Sequence, residues 1–256
     1  MNEGVLKVKR RIEGYWDHSS PTYDEQFGHG VHSAREKQLW LDLLERNLAL
    51  PHGSRVLDVG CGTGFLSLLL AELGFRVTGI DFSEQMRGRA VAKAEAMGLD
   101  IEFMHGDAEA PDFPGHTFDA VISRHVVWTL PDPAAAAANW RGVLRPGGLA
   151  VVVDGVWTPR SLGQRVRGLV ADGLKFLKGS RDHRSWKKEY LDDVRALPFF
   201  GGAEPELVEA LLAEAGYTDI RRDAMADILE HERRTGPLEY RITHGRNRRY
   251  LICGRA

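Results

Sequence analysis

The sequence predicts an α/β fold of the doubly wound class, a parallel sheet with helices on both faces. Two observations carry this. Five short apolar runs, "RVLDV" at 55, "RVTGI" at 76, "IEFMH" at 101, "FDAVIS" at 118 and "LAVVVD" at 149, recur with helical stretches between them. Strands spaced in this way pair in parallel through right-handed crossovers. In addition, the first run leads directly into "GCGTG", a glycine loop that opens a leucine-rich helix.

The remaining elements follow in chain order. Ser33 with Glu36 forms a capping box, and Leu39, Trp40, Leu43, Leu44 and Leu48 share one stripe, so residues 34–49 are predicted to be an amphipathic helix docked on the sheet. "PDPAAAAANWRGVLRPGG", from Pro131 to Gly148, reads as a crossover helix followed by a stop and a turn. After Asp154 the rhythm breaks. Residues 155–202, with "LGQRVRGLVADGLKFL" helical and "LPFFGG" a turn, are predicted to be an insertion. Basic residues outnumber acids between Gly155 and Tyr190, a pattern more often a solvated helical face than an anion-attracting surface. Pro205 suits a first helical turn, Leu207, Val208, Leu211, Leu212 and Ala215 line one face, and Gly216 ends that helix. "YTDIRRD" and "RRYLICGR" supply the last two strands.

The totals bound the function. At 256 residues the chain accommodates one large α/β domain with a modest insertion. A net charge of −2 gives no global reason to expect nucleic acid or an anionic membrane. Two cysteines, Cys61 and Cys253, set in a glycine loop and a final strand, indicate neither a disulfide framework nor a cysteine metal site. The first residues contain no apolar signal region and no run is long enough to span a bilayer, so a cytoplasmic protein is expected.

The glycine loop identifies the kind of ligand. Glycines at a strand-to-helix turn let backbone approach a ligand, and the helix start offers free N–H groups. A dinucleotide fingerprint would be G-x-G-x-x-G, whereas the spacing here is Gly60-x-Gly62-x-Gly64 with Asp58 inside the strand end. That carboxylate repels a pyrophosphate and suits a cationic amine. Asp81, which ends "RVTGID", is placed to accept ribose hydroxyls. Asp107 in "HGDAEA" is placed to accept from an adenine amino group, with the Ala108 N–H meeting a ring nitrogen. Any one of these acids could be a turn residue; three at successive strand ends point to an amino-acid-bearing nucleoside.

"VLDVGCGTG", "GIDFSEQM", "GDAEAPDF", "FDAVISRHVVWTLPDP" and "WRGVLRPGGLAVVV" together resemble the class I S-adenosylmethionine-dependent methyltransferases of the ubiquinone- and menaquinone-biosynthesis-like, small-molecule branch. The resemblance covers about residues 56–154. It implies a Rossmann-like sheet of seven strands, six parallel and one antiparallel, with "RRYLICGR" the antiparallel one. The expected organisation is a core at 51–154 and 203–256, an N-terminal helical cap at 1–50 and a lid at 155–202. S-adenosyl-L-methionine is the implied cofactor. Asp58 and Gly60 would face its methionine part, Asp81 its ribose, and Asp107 and Ala108 its adenine. Arg124 would lie beside the carboxylate or sulfonium, and Cys61, Gly62, Gly64, Phe82 and Met86 complete the cofactor motifs. Tyr23, in a Tyr23-Asp24 pair, would fold over the cofactor.

The acceptor side is less specified. Methyl transfer from a sulfonium needs alignment and exclusion of water more than a base. His125, just after the fourth strand, and His29 are the catalytic candidates. Tyr15, Trp16, His32, Trp128 and Phe199 are candidates for substrate contact, and Trp157, Phe176, Trp186 and Phe200 are further lid aromatics. No metal is expected, since His18, His29 and His32 lack a standard ligand spacing. The absence of an Asn/Asp-Pro-Pro-Tyr element after the fourth strand, and of a Pro-Cys nucleophile, disfavours nucleic-acid substrates. The expected partner is a small-molecule methyl acceptor, with the protein a monomer or homodimer and no membrane contact. The rival readings are a non-catalytic module that binds S-adenosylmethionine or S-adenosylhomocysteine, and an NAD-dependent oxidoreductase.

Overall fold

A computed structural model describes residues 3–156, 194–244 and 248–256. Seven strands form one sheet in the order β3-β2-β1-β4-β5-β7-β6. They are β1 (Arg55–Val59), β2 (Arg76–Asp81), β3 (Glu102–His105), β4 (Phe118–Arg124), β5 (Leu144–Gly155), β6 (Thr218–Asp223) and β7 (Arg249–Arg255). Strands β3 to β5 run parallel, while β7 is antiparallel to both β5 and β6, so six strands share one direction. The doubly wound, seven-stranded expectation is met.

Period-2 alternation explains why the central strands are continuously apolar. Side chains at successive positions point to opposite faces, and both faces are covered. Val56, Ile122, Val151 and Val153 join Leu39, Trp40, Leu43, Leu44 and Leu70 in one core layer. Leu57, Val121, Ala150 and Val152 join Trp140, Leu212 and Tyr217 in the other. Helix α2 (Ala34–Leu48) and helix α3 (Phe65–Glu72) supply the first layer, and α5 (Pro133–Val143) and α6 (Pro205–Glu214) the second. Helix α4 (Glu84–Met97) packs beside β2 and β3.

The predicted helix ends are present. The Ser33 hydroxyl accepts from the Glu36 N–H at 3.0 Å. The return bond of the box is displaced by one residue: the Glu36 carboxylate accepts from the His32 N–H, at 2.8 Å. Asp132 caps α5 by accepting from the Ala135 N–H at 2.9 Å, and Gly216 at φ +85 follows α6.

Three further helices complete the described fold, the N-terminal one closing over the sheet edge. Helix α1 (Glu3–Ser19) buries only Lys9 and Ile12. Ile12 meets Val194 and Leu197 in a small satellite core, against which Tyr15, Trp16, Trp128 and Phe200 pack. Helices α7 (Ala226–Thr235) and α8 (Leu238–His244) lie between β6 and β7. Within 203–256 they form a helical excursion that the sequence reading did not mark. The ends of the predicted lid, Val156 and Gly202, meet in an antiparallel bridge; Trp157, Phe176, Trp186 and the basic stretch lie outside the described residues. No helix among the described residues is long and apolar enough to cross a membrane.

Leu70 is fully buried between α3 and the sheet. Leu70→Ala should lower unfolding free energy by about 2–5 kcal/mol in urea denaturation, and a loss below about 1 kcal/mol would show that α3 is not docked as described.

Candidate active site

The loops that follow β1, β2, β3 and β4 converge at the carboxyl edge of the sheet, where open α/β folds place ligands. They enclose a cavity with about 720 Å³ of empty space, counting the part open to solvent at its mouth. Gly60, Gly62, Asp81, Phe82, Met86, Gly106, Asp107, Ala108, Arg124 and His125 line it, and Lys9, Ile12, Trp16 and Tyr23 close it from the cap. A smaller cavity of about 290 Å³ adjoins it, sharing Tyr23, Gly60, Gly62 and Arg124 and adding Asp58. The two make one composite site.

Glycine is required at two of its positions. Gly60 has φ +66, and a Cβ there would stand 2.4 Å from Val126 Cγ2, so the β1 loop can lie against the β4 loop only without a side chain. Gly62, at φ +55, has open space where its Cβ would be. A ligand can therefore reach its backbone.

The acids occupy different environments. Asp81 accepts from the Gly62 N–H at 2.9 Å and from the Ser83 N–H at 2.8 Å. Burial pushes its carboxyl above the usual range, against the opposing pull of those two N–H groups and of Arg87. Asp58 shares the sheet face of Val56 and so points under α3, where the Ser67 hydroxyl donates to it at 2.5 Å. Burial raises its pKa to about 7. Asp58 thus lines the smaller cavity and not the larger one. Asp107 accepts from the Glu109 N–H at 2.9 Å and from Lys9 Nζ at 2.6 Å. Lys9 also pairs with Glu109. Burial works to lower the Lys9 pKa, yet the hydrogen bonds and charges of these two carboxylates outweigh it and the net shift is upward. The Asp107–Glu109 loop is held from behind: Trp140 Nε1 donates to the Ala108 carbonyl at 2.7 Å, and Asn139 Nδ2 to the Glu109 carbonyl at 2.8 Å.

Arg124 is the buried cation of the site, 9% exposed. Its guanidinium lies over the Phe65 ring at 3.9 Å and donates to the Gly28 carbonyl at 2.5 Å. Its Nε has no hydrogen-bond partner among the described residues. A buried guanidinium with an unused donor suits an anionic ligand atom. His125 follows at φ +58, its N–H donating to the Val153 carbonyl at 2.9 Å. Burial, with the charges of Arg124, His29 and Arg249, holds its imidazole well below the usual histidine pKa, so it is neutral at pH 7.

The structure brings together most of the predicted site. Tyr23 lines both cavities, and burial raises its phenol pKa. Cys61 lines only the smaller cavity, its thiol pKa pushed well up by burial and by Asp81 and Asp58. Gly64 lines neither, packing instead on Ala90. His29 sits one ring back from the cavity, 4.4 Å from the Tyr23 ring and 6.1 Å from that of His125. Of the predicted substrate contacts only Trp16 lines the main cavity. Tyr15 and Trp128 pack in the cap cluster, where Trp128 Nε1 donates to the His125 carbonyl at 2.9 Å. His32 stacks on Phe27, with ring centroids 5.1 Å apart. Phe199 packs on the second core layer. Lys9, Ile12 and Glu109 line the cavity without having been expected there. Only the acid two residues after Asp107 offered a local signal; the helix residues offered none.

Residues 57–152 match the family described as "Methyltransferase domain". A phosphatidylethanolamine N-methyltransferase from Cereibacter sphaeroides is 45% identical over 104 residues, which are 40% of this chain and 51% of that protein. The chain thus spans about half the length of this relative. A demethylmenaquinone methyltransferase from Thermus thermophilus is 36% identical over 168 residues, covering 64% of this chain and 74% of that one. The fold is shared with phosphoethanolamine N-methyltransferase 2 of Haemonchus contortus, solved in complex with S-adenosyl-L-methionine, at TM-score 0.66 and 20% identity over 100% of this chain and 61% of that one. The similarity to a relative of which it covers nearly three quarters places the chain in a family: it belongs to the S-adenosylmethionine-dependent methyltransferases, with quinone-biosynthesis enzymes among its relatives.

Proposed function

We propose that the protein transfers a methyl group from S-adenosyl-L-methionine to a nucleophilic oxygen, nitrogen, sulfur or carbon of a small-molecule acceptor. The observation that carries this is that Asp58 and Arg124 both line the smaller cavity. An acid and a buried arginine together suit an ammonium and a carboxylate on one ligand, and Asp81 and Asp107 in the adjoining cavity suit its ribose and adenine. A dinucleotide offers its phosphates no comparable use for Asp58. The open backbone at Gly62 and the partnerless Nε of Arg124 fit the cofactor by the same reasoning.

When bound, this cofactor supplies an electrophilic methyl group on a sulfonium. The chain's part is to orient and to exclude water: Trp16, Tyr23 and Ile12 cover the cavity, and Val126, Leu130 and Pro131 line its wall. His125, neutral and on that wall, is placed to take a proton from the acceptor. The two cysteines, both free and buried, fit a reducing cytoplasm; a monomer or homodimer belongs to the same reading. The lid at 155–202 and the cap at 1–50 would enclose the acceptor.

Asp81→Ala should weaken S-adenosylhomocysteine binding by about 1.5–3 kcal/mol, the range for hydrogen bonds to a charged group, in titration calorimetry. Unchanged affinity would remove the ribose assignment. His125→Asn, which tolerates the positive φ at this position, should lower turnover by about 10²–10⁴-fold while leaving cofactor affinity intact; equal loss of both would reassign His125 to cofactor binding. Affinity should also depend on pH. The raised pKa of about 7 means that Asp58 is protonated below neutrality in the free protein, and an ammonium ligand prefers the ionised form. Affinity therefore rises as pH increases through 7, and Asp58→Asn should flatten that rise.

A further inference from the structure

The helical excursion between β6 and β7 reaches the site without touching the cavity. The Tyr240 hydroxyl on α8 donates to Glu232 Oε2 on α7 at 2.8 Å, and Arg249 at the start of β7 pairs with the same carboxylate. Glu232 and Arg249 are both buried. The Tyr240 ring meets Phe27 edge-on, with centroids 4.6 Å apart, and presses on Gly28. A Cβ on Gly28, which has φ +91, would stand 3.0 Å from the Tyr240 hydroxyl. One on Gly236 would meet Phe27 at 3.0 Å and Tyr240 at 3.1 Å. This packing fixes the 24–32 loop. The loop in turn presents the Gly28 carbonyl to Arg124 at 2.5 Å.

The charges in this region complete the argument. Beside the buried guanidiniums of Arg124 and Arg249 lies the buried carboxylate of Glu232, which Arg249 and Tyr240 already engage. Asp58 is engaged by Ser67. Arg124 therefore keeps donor capacity, and among the described residues its polar tether is the carbonyl that the excursion holds in place. We propose that Tyr240 and Glu232 are positioning residues for Arg124: through Phe27 and Gly28 they hold the guanidinium in the smaller cavity for the carboxylate of the methyl donor. The inference rests on the cofactor reading above. It gives the excursion a role that a stabilising helix pair alone would not have, because it acts on one end of the ligand.

The test compares S-adenosylhomocysteine, which carries the amino-acid tail, with adenosine, which lacks it, by calorimetry on the full chain. Tyr240→Phe should weaken S-adenosylhomocysteine about tenfold and adenosine by less than about twofold. In an Arg124→Ala background the Tyr240→Phe effect should disappear, since the two residues act through one contact. Thermal melts report whether each variant folds. Gly28→Ala, which displaces the same carbonyl, should reproduce the selective loss and carries the comparison if Tyr240→Phe does not fold. Equal weakening of both ligands, unchanged affinity, or full additivity with Arg124→Ala would overturn the positioning role. If the unaltered protein binds neither ligand, the cofactor reading itself fails and this inference with it.

Discussion

The site depends on one backbone constraint, the close approach of the Gly60–Gly64 loop to its neighbours on both sides. Towards β4, Gly60 leaves no room for a side chain beside Val126. Towards β2, the Gly62 N–H donates to Asp81. These two contacts bind three strand ends into one rigid edge. An acid that receives backbone N–H groups stays in place even though burial raises its pKa, and that is how a carboxylate can be fixed in a pocket before any ligand arrives.

The cap is attached by different physics. The sheet and its two helical layers are held by close-packed apolar side chains. Helix α1 is attached by its small satellite core and by polar ties: Lys9 to Asp107 and Glu109, and Asp17 to the Ser83 hydroxyl at 2.5 Å. Asp24 ties the following loop to Thr63 at 2.5 Å and to Lys93 at 2.9 Å. Apart from Lys93, inside α4, the groups that receive these tethers lie on the loops and the helix start around the cavity. Local opening is cheapest where few apolar contacts are broken, so the cap is the part of the fold suited to admit ligand while the sheet edge stays fixed.

Much of this was legible in the sequence, and the reason is locality. Asp81, Asp107 and Arg124 end or follow an apolar run and Asp58 lies one residue before the end of one, so a strand-then-loop reading places each at the sheet edge without knowledge of any partner. The same reading could not see that Asp58 turns beneath α3 to Ser67 while Asp81 faces the larger cavity, because that depends on which sheet face each residue occupies. The aromatic candidates depend on packing that the sequence does not show. Tyr15, Trp16 and Trp128 belong to one cluster, and of the neighbours Tyr15 and Trp16 on α1 the helix turns only Trp16 into the cavity.

The sequence by itself determined the doubly wound sheet, the glycine loop and the acids that suit a nucleoside bearing an amino acid, since all of these follow from short-range periodicity and turn chemistry. Only the tertiary structure decided the cap. Helix α1 carries a short apolar face of Val8, Ile12, Tyr15 and Trp16, and α7 carries Ile228 and Leu229, but each also buries a charge, Lys9 and Glu232, that no apolar pattern announces. Their burial is made tolerable by charges far away in the chain, Asp107 for Lys9 and Arg249 for Glu232. A buried charge is stable only beside its partner, and that partner exists only once the chain has folded.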